Sequence, residues 1–356
     1  MRAVLLAVSL AAFGIARGTA QVGAHSCSSL PLATFSYDRA LPLDLRVSVA
    51  KTQDGVEIHA ISFASPRGGR ATGLLFVPQK RVPGVRLPGL VMQHGMPGKA
   101  EYVSWVSGNI AHHGAIVVAL DAPFARRAGD PVTFTPQDSA EQVQLIVDLQ
   151  RAFDLLIGRP DVDVGRLAFV GRSYGAAMGG LLAAVEHRPR TYVLIVGDGG
   201  LVTHYSAAGH RAALDSLSSE RRERWLAAMR PIEPIRYIGC ATGASFFFQA
   251  ARRDELVTMT DAVALQRKAG KGALVRSGSQ PRLARHHGRA RLAASHLGNS
   301  PGGGPGRYVV RHEGAVPRVG LVEPGGLVPC ASACELCLER GELGALVGRV
   351  DWDRAA

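Results

Sequence analysis

From about residue 44 to residue 270, short apolar runs alternate with longer amphipathic stretches. "GVEIHAISFAS" and "ATGLLFVPQ" read as an early β-hairpin. Three further runs, "LPGLVMQHG", "GAIVVALDAP" and "GRLAFVGRS", each end at a turn and predict buried strands. Between the second and third the pattern becomes helical. Ile146, Leu149, Phe153 and Leu156 recur on one face, Asp138 and Glu141 have capping-box spacing, and "RPDVDVG" closes the helix. "TYVLIVGDGG" and "ASFFFQAA" predict two more strands, and "DAVALQRKAG" a short helix. Buried strands separated by amphipathic helices imply an α/β class, with a mostly parallel sheet covered on both faces.

Between the last two strands, residues 203–238 exceed what a simple connection needs. This helical, charged and aromatic stretch reads as a small cap over a site, or as a crossover helix with a ragged loop. The first 20 residues differ from the rest. Arg2, the run "AVLLAVSLAAFGIA" and the small residues Gly18 and Ala20 predict a secretory signal peptide cut after Ala20, followed by an extension over 21–43. No later apolar run is long enough to span a membrane, so a secreted or periplasmic soluble protein is expected.

The net charge of +12 points first to acidic partners, but its distribution weakens that reading. No acid lies between Asp261 and Glu313, while Lys268, Lys271, Arg276, Arg282, Arg285, Arg289 and Arg291 crowd the start of that span. Aromatic residues for base stacking are missing from 268–291, so nucleic acid is not the expected partner. Of the five cysteines, Cys27 and Cys240 form the one pairing available outside the last segment, and the sequence does not show that they meet.

Three motifs carry chemistry. In "GRSYG", Ser173 stands between a buried strand and the helix "AAMGGLLAAVEH", with glycines at both flanks. Such a turn lifts a serine above the sheet edge and aims the Tyr174 N–H at developing negative charge. In "QHGMPG", the turn after an earlier strand exposes a backbone N–H, that of Met96, as a second oxyanion donor. In "ARRDELV", Asp254 follows a strand directly and offers a carboxylate to orient an imidazole. Glu255, Asp261 and Asp198 are weaker candidates for that role.

In these motifs and their chain order, the sequence resembles the α/β-hydrolase superfamily, particularly its secreted esterase and dienelactone-hydrolase-like members. The resemblance covers about residues 44 to 270. It implies Ser173 as nucleophile, Asp254 as triad acid, and the Met96 and Tyr174 amides as oxyanion hole. It also implies a small-molecule ester as substrate and no metal or organic cofactor. The prolyl-oligopeptidase type of serine peptidase has a similar elbow, but its propeller has no room here.

After Asp254 and its helix, the resemblance asks for one more strand, a Gly-His turn and a closing helix. The chain instead continues "KGALVRSGSQPRLARHHGRARLAASHLGNSPGGGPG". His286, His287, His296 and His312 follow, but none stands where the base is required. Synonymous codons for Leu274 to Gln280, read one nucleotide later, can encode Trp-Tyr-Asp-Pro-Gly-His. A frameshift between about residues 268 and 274 is therefore expected, leaving 271–356 as an irregular, out-of-frame tail. Cys330, Cys334 and Cys337 have the spacing of an iron–sulfur motif, but only 19 residues follow them, too few for the barrel such a site needs. The expected function is that of a serine esterase, inactive in this form if the triad histidine is missing. A peptidase of the same fold and a non-catalytic binding protein are the alternatives.

Overall fold

The computed structural model describes residues 27–270, 272–277, 308–313, 316–323 and 326–329. The expected signal peptide, His286, His287, His296 and the three late cysteines lie outside them. The chain divides into two units, Met1–Leu30 and Pro31–Ala356. In the first, Cys27–Ser29 makes one 3-10 turn and Cys27 is disulfide-bonded. In the second unit, Cys240 is also disulfide-bonded, and all the elements that follow belong to this unit.

Two short strands, β1 (Arg46–Val47) and β2 (Lys51–Gln53), flank the predicted hairpin of β3 (Val56–Ala64) and β4 (Arg70–Pro78). The hairpin register runs without interruption from Val56 opposite Pro78 to Ala64 opposite Arg70. The predicted buried strands follow as β5 (Leu87–Gln93), then β6 (Ile116–Leu120) after helix α1 (Ser104–His112). Helix α2 (Pro136–Ile157) leads to β7 (Val162–Arg172), and α3 (Tyr174–Val185) to β8 (Thr191–Ile195). Ile146, Leu149, Phe153 and Leu156 are fully buried on the inner face of α2.

The start of α2 departs from the expected capping box. Thr135 is the N-cap, accepting from the Gln137 N–H, and Pro136 opens the helix with its φ already set. Asp138 instead turns inward, and Glu141 pairs with Arg127.

The expected cap begins inside α4 (Leu201–Ser206) and contains α5 (Ala212–Asp215) and α6 (Ser219–Met229). After them come β9 (Ser245–Ala251), α7 (Met259–Ala269) and β10 (Ala273–Ser277). The sheet therefore continues beyond residue 270, and the residues after β10 are Gly278 and Ser279 rather than Gly-His. Three further strands, β11 (Tyr308–Glu313), β12 (Val316–Glu323) and β13 (Gly326–Pro329), form a separate antiparallel sheet.

Among the described residues the main sheet has ten strands in the order β1-β3-β4-β6-β5-β7-β8-β9-β10, with β2 beside β3. Pairings are antiparallel up to β4–β6 and parallel from β6 to β10. Parallel strands all end at one edge, which brings Gln93, Leu120, Arg172, Ile195 and Ala251 to the same rim of the sheet. In open α/β sheets that carboxyl rim is where ligands bind. One face of the sheet packs Val106, Ile110 and Ala111 of α1 against Leu90, Met92, Val117 and Val170. Helix α3 is buried from Tyr174 to Ala184, in keeping with its apolar sequence.

Candidate active site

Ser173 links β7 to α3 with φ 53° and ψ −119°, a left-handed conformation that a serine rarely adopts. Its N–H donates to Ile195 O at 2.8 Å, which fixes the turn to the neighbouring strand. The flanking glycines are needed for close approach. A Cβ on Gly171 would lie 2.2 Å from Gly175 O, and one on Gly175 would lie 2.3 Å from Gln93 O. Either methyl would push α3 off the sheet.

The turn after β5 stands directly against this serine. A Cβ on Gly95 would be 2.8 Å from Ser173 Cβ and 3.4 Å from its Oγ. His94 organises that turn, a role no local sequence signal reveals. Its ring is fully buried; Nε2 accepts the Ala122 N–H at 3.0 Å, so Nδ1 carries the proton and donates to Gly95 O at 2.8 Å. Burial lowers the His94 pKa and keeps the ring neutral. With both nitrogens committed, His94 has no free site for a proton.

Gly95 O also accepts the Gly98 N–H at 2.9 Å. The Gly95–Met96 peptide is trans, so the Met96 N–H points opposite to that doubly held carbonyl. Among the described residues this N–H has no acceptor. The Tyr174 N–H, in the first turn of α3, has no intrahelical acceptor either. The Tyr174 phenol is buried near Phe124, and burial raises its pKa strongly, so it stays neutral.

Asp254 follows β9. Its Oδ1 accepts the Leu256 and Val257 N–H groups, both at 2.9 Å, while Oδ2 is buried without a hydrogen-bond partner among the described residues. Burial raises the pKa of this carboxyl, against the opposing pull of the two N–H donors and of Arg172. The weaker candidates are placed differently. Asp261 is occupied at the start of α7, where its carboxylate accepts the hydroxyl of the N-cap Thr258 and its N–H donates to that same oxygen. Glu255 is exposed. Asp198, buried just after β8, accepts the Gly200 N–H on Oδ1 and meets His204 Nδ1 at 2.8 Å on Oδ2.

His204 was not marked by any sequence motif. Its Nε2 has no hydrogen-bond partner among the described residues, and its ring stacks on His210 at 4.2 Å. Glu233 anchors α4, accepting the Val202 and Thr203 N–H groups, and its burial raises the pKa to about 7. Among the described residues no cluster of three or more His, Cys, Asp or Glu side chains suits a metal, and no helix is long and apolar enough to cross a membrane.

No protein-family model matches the chain, and no curated protein matches it in sequence. Solved structures do match. The acetyl xylan esterase from Paenibacillus sp. R4 superposes with a TM-score of 0.52 at 18% identity, covering 67% of this chain and 84% of that one. Acetyl xylan esterase 1 from Thermoanaerobacterium sp. JW/SL YS485 gives 0.54 at 14% identity, over 71% and 87% of the two chains. At such identities the likeness speaks for architecture. Strand order, the strained serine turn and these superpositions agree: the chain has the α/β-hydrolase fold.

Proposed function

We propose that this protein is a serine hydrolase that cleaves carboxylic esters through an acyl-enzyme, as the names of the two esterase neighbours also suggest. The observation that carries the reading is the strained Ser173 with the Gly95 turn pressed against its hydroxyl. Ser173 Oγ attacks the ester carbonyl while its proton passes to a base. The carbonyl oxygen takes the negative charge and is held by the Met96 and Tyr174 N–H groups. Collapse expels the alcohol with a proton from the base, and water then releases the acid by the same route. Asp254 is the triad acid, its free Oδ2 suited to accept an imidazole N–H. The substrate is a small ester; the chemistry needs neither metal nor cofactor, nucleic acid is not a partner, and the chain makes no membrane span. The apolar leader assigns the protein to the periplasm or the exterior.

The base is the open position. If the frame is shifted upstream of β10, the base was lost with the Gly-His turn, leaving the residual catalysis of the oxyanion hole. A second reading is favoured by one observation: His204 is the histidine among the described residues that meets a carboxylate within hydrogen-bond distance, through Nδ1. That is the orientation a general base requires, with Nε2 left to take a proton.

Labelling with a neutral fluorophosphonate tests the central claim. The adduct is expected on Ser173 and absent from Ser173→Ala; a chain that stays unlabelled after its frame is restored would identify a binding protein instead. Faster turnover of p-nitrophenyl acetate than of the matching anilide separates esterase from peptidase.

A further inference from the structure

Arg172 closes β7 and precedes the serine. It is half-buried, and no described carboxylate lies within 4.0 Å of it. That sets it apart. Arg70, Arg126, Arg127, Arg151, Arg159, Arg166, Arg188 and Arg222 are the other arginines with described side chains that are not exposed, and each holds an Asp or Glu. Nor does the Arg172 guanidinium have any hydrogen-bond acceptor among the described residues. Asp254 acts on it only through space.

A partly desolvated guanidinium with uncommitted donors is unfavourable unless an anion joins it. Next to a nucleophile it also opposes any positive charge that forms on a base. Both effects are relieved by a planar two-oxygen anion, which the guanidinium fork binds in bidentate fashion. We propose that Arg172 anchors a carboxylate carried by the ester substrate, so that the preferred substrates are half-esters or esters of acidic molecules. This deepens the esterase reading and rests on it for the position of the scissile bond.

The test uses the full chain with Ser173→Ala, which blocks turnover, and two probes that differ by one charge: monomethyl succinate and dimethyl succinate. By calorimetry the acid is expected to bind about tenfold or more tightly than the diester. Arg172→Met should abolish that preference and Arg172→Lys should keep part of it. Equal affinities, no binding of the acid up to about 10 mM, or a preference that survives Arg172→Met would each overturn the proposal. A measurement independent of variant folding is protection from phenylglyoxal. Monomethyl succinate, and not the diester, should shield Arg172 in the unsubstituted guanidinium form, read by peptide mass; shielding by neither overturns the anchor. Fluorophosphonate labelling of the wild-type chain keeps the two claims apart. A charge preference with no labelling in either the wild-type or the frame-restored chain sinks the hydrolase and leaves the anchor, and labelling without a preference does the reverse.

Discussion

Gly95 lies so close to Ser173 that the two residues share no room for one additional methyl group. Gly95→Ala is therefore expected to leave the fold in place and to displace the hydroxyl. Circular dichroism should be unchanged, while fluorophosphonate labelling falls by about tenfold or more.

His94 makes a prediction of a different kind, because it acts through a carbonyl. Removing its ring in His94→Ala orphans the buried Ala122 N–H and leaves Gly95 O with the Gly98 N–H as its one remaining donor among the described residues. Stability should fall by about 2–4 kcal/mol, read from denaturant unfolding. Labelling of the remaining folded protein should fall by about a hundredfold, as when one oxyanion donor is lost.

Asp254→Asn should raise stability and lower reactivity together. Burial raises the carboxyl's pKa, so its charged form works against folding at neutral pH. The gain of the Asn variant should be full at neutral pH and shrink as acid protonates the wild-type group. A thermal melt at two pH values reads this. In a chain that carries its base, labelling of Ser173 should fall at the same time, since a neutral amide cannot balance an imidazolium. Loss of stability with unchanged labelling would make Asp254 a structural turn residue.

Glu233 sets a pH dependence of the same sign. Its pKa rises from 4.5 in the unfolded chain to about 7 in the fold, so the folded state binds the proton more tightly. Its contribution is therefore complete below pH 4.5 and is lost as pH rises through 7, on the order of 3 kcal/mol in all. In Glu233→Gln that component of the slope should vanish, which urea titrations across the window would show.

The base can be traced in the gene. Nucleotide sequence across codons 265 to 300, read from independent template, is expected to show an insertion or deletion upstream of a frame encoding Trp-Tyr-x-x-Gly-His. Restoring that frame should restore ester turnover by several orders of magnitude. If the shifted frame encodes nothing of the kind, the tail is genuine. His204→Ala then decides, with labelling lost if His204 is the base and unchanged if it is not.

Much of the architecture was legible because buried parallel strands leave continuous apolar runs, and every such run from Leu87 to Ala251 became a strand. The edge strands β1 and β2 were not, being two and three residues long and fully exposed. Serine, Met96 and Asp254 could be marked because their local frames are distinctive. His94 could not, since its partner at Ala122 comes from the end of a different strand, and His204 acquires its meaning only from the fold of the 198–204 loop. Arg172 reads as an ordinary spacer in the motif; what distinguishes it is the absence of a nearby acid among the described residues, which no spacing reveals. Four acids were weighed near the site, and only their hydrogen bonds separate a helix cap at Asp261 from an uncommitted oxygen at Asp254.

Asp138 accepts from Thr133 N and Oγ1 on one oxygen and from Phe134 N and Trp225 Nε1 on the other. A buried carboxylate with both oxygens so occupied binds two separate parts of the chain into one heritable block. Residues 133–138 and α6 cannot drift independently, because losing any donor leaves charge exposed in the interior. Recombination between homologues would have to carry both segments from the same parent, and a transplanted α6 would need its matching Thr-Phe-Thr-Pro-Gln-Asp loop to be accepted by a new host.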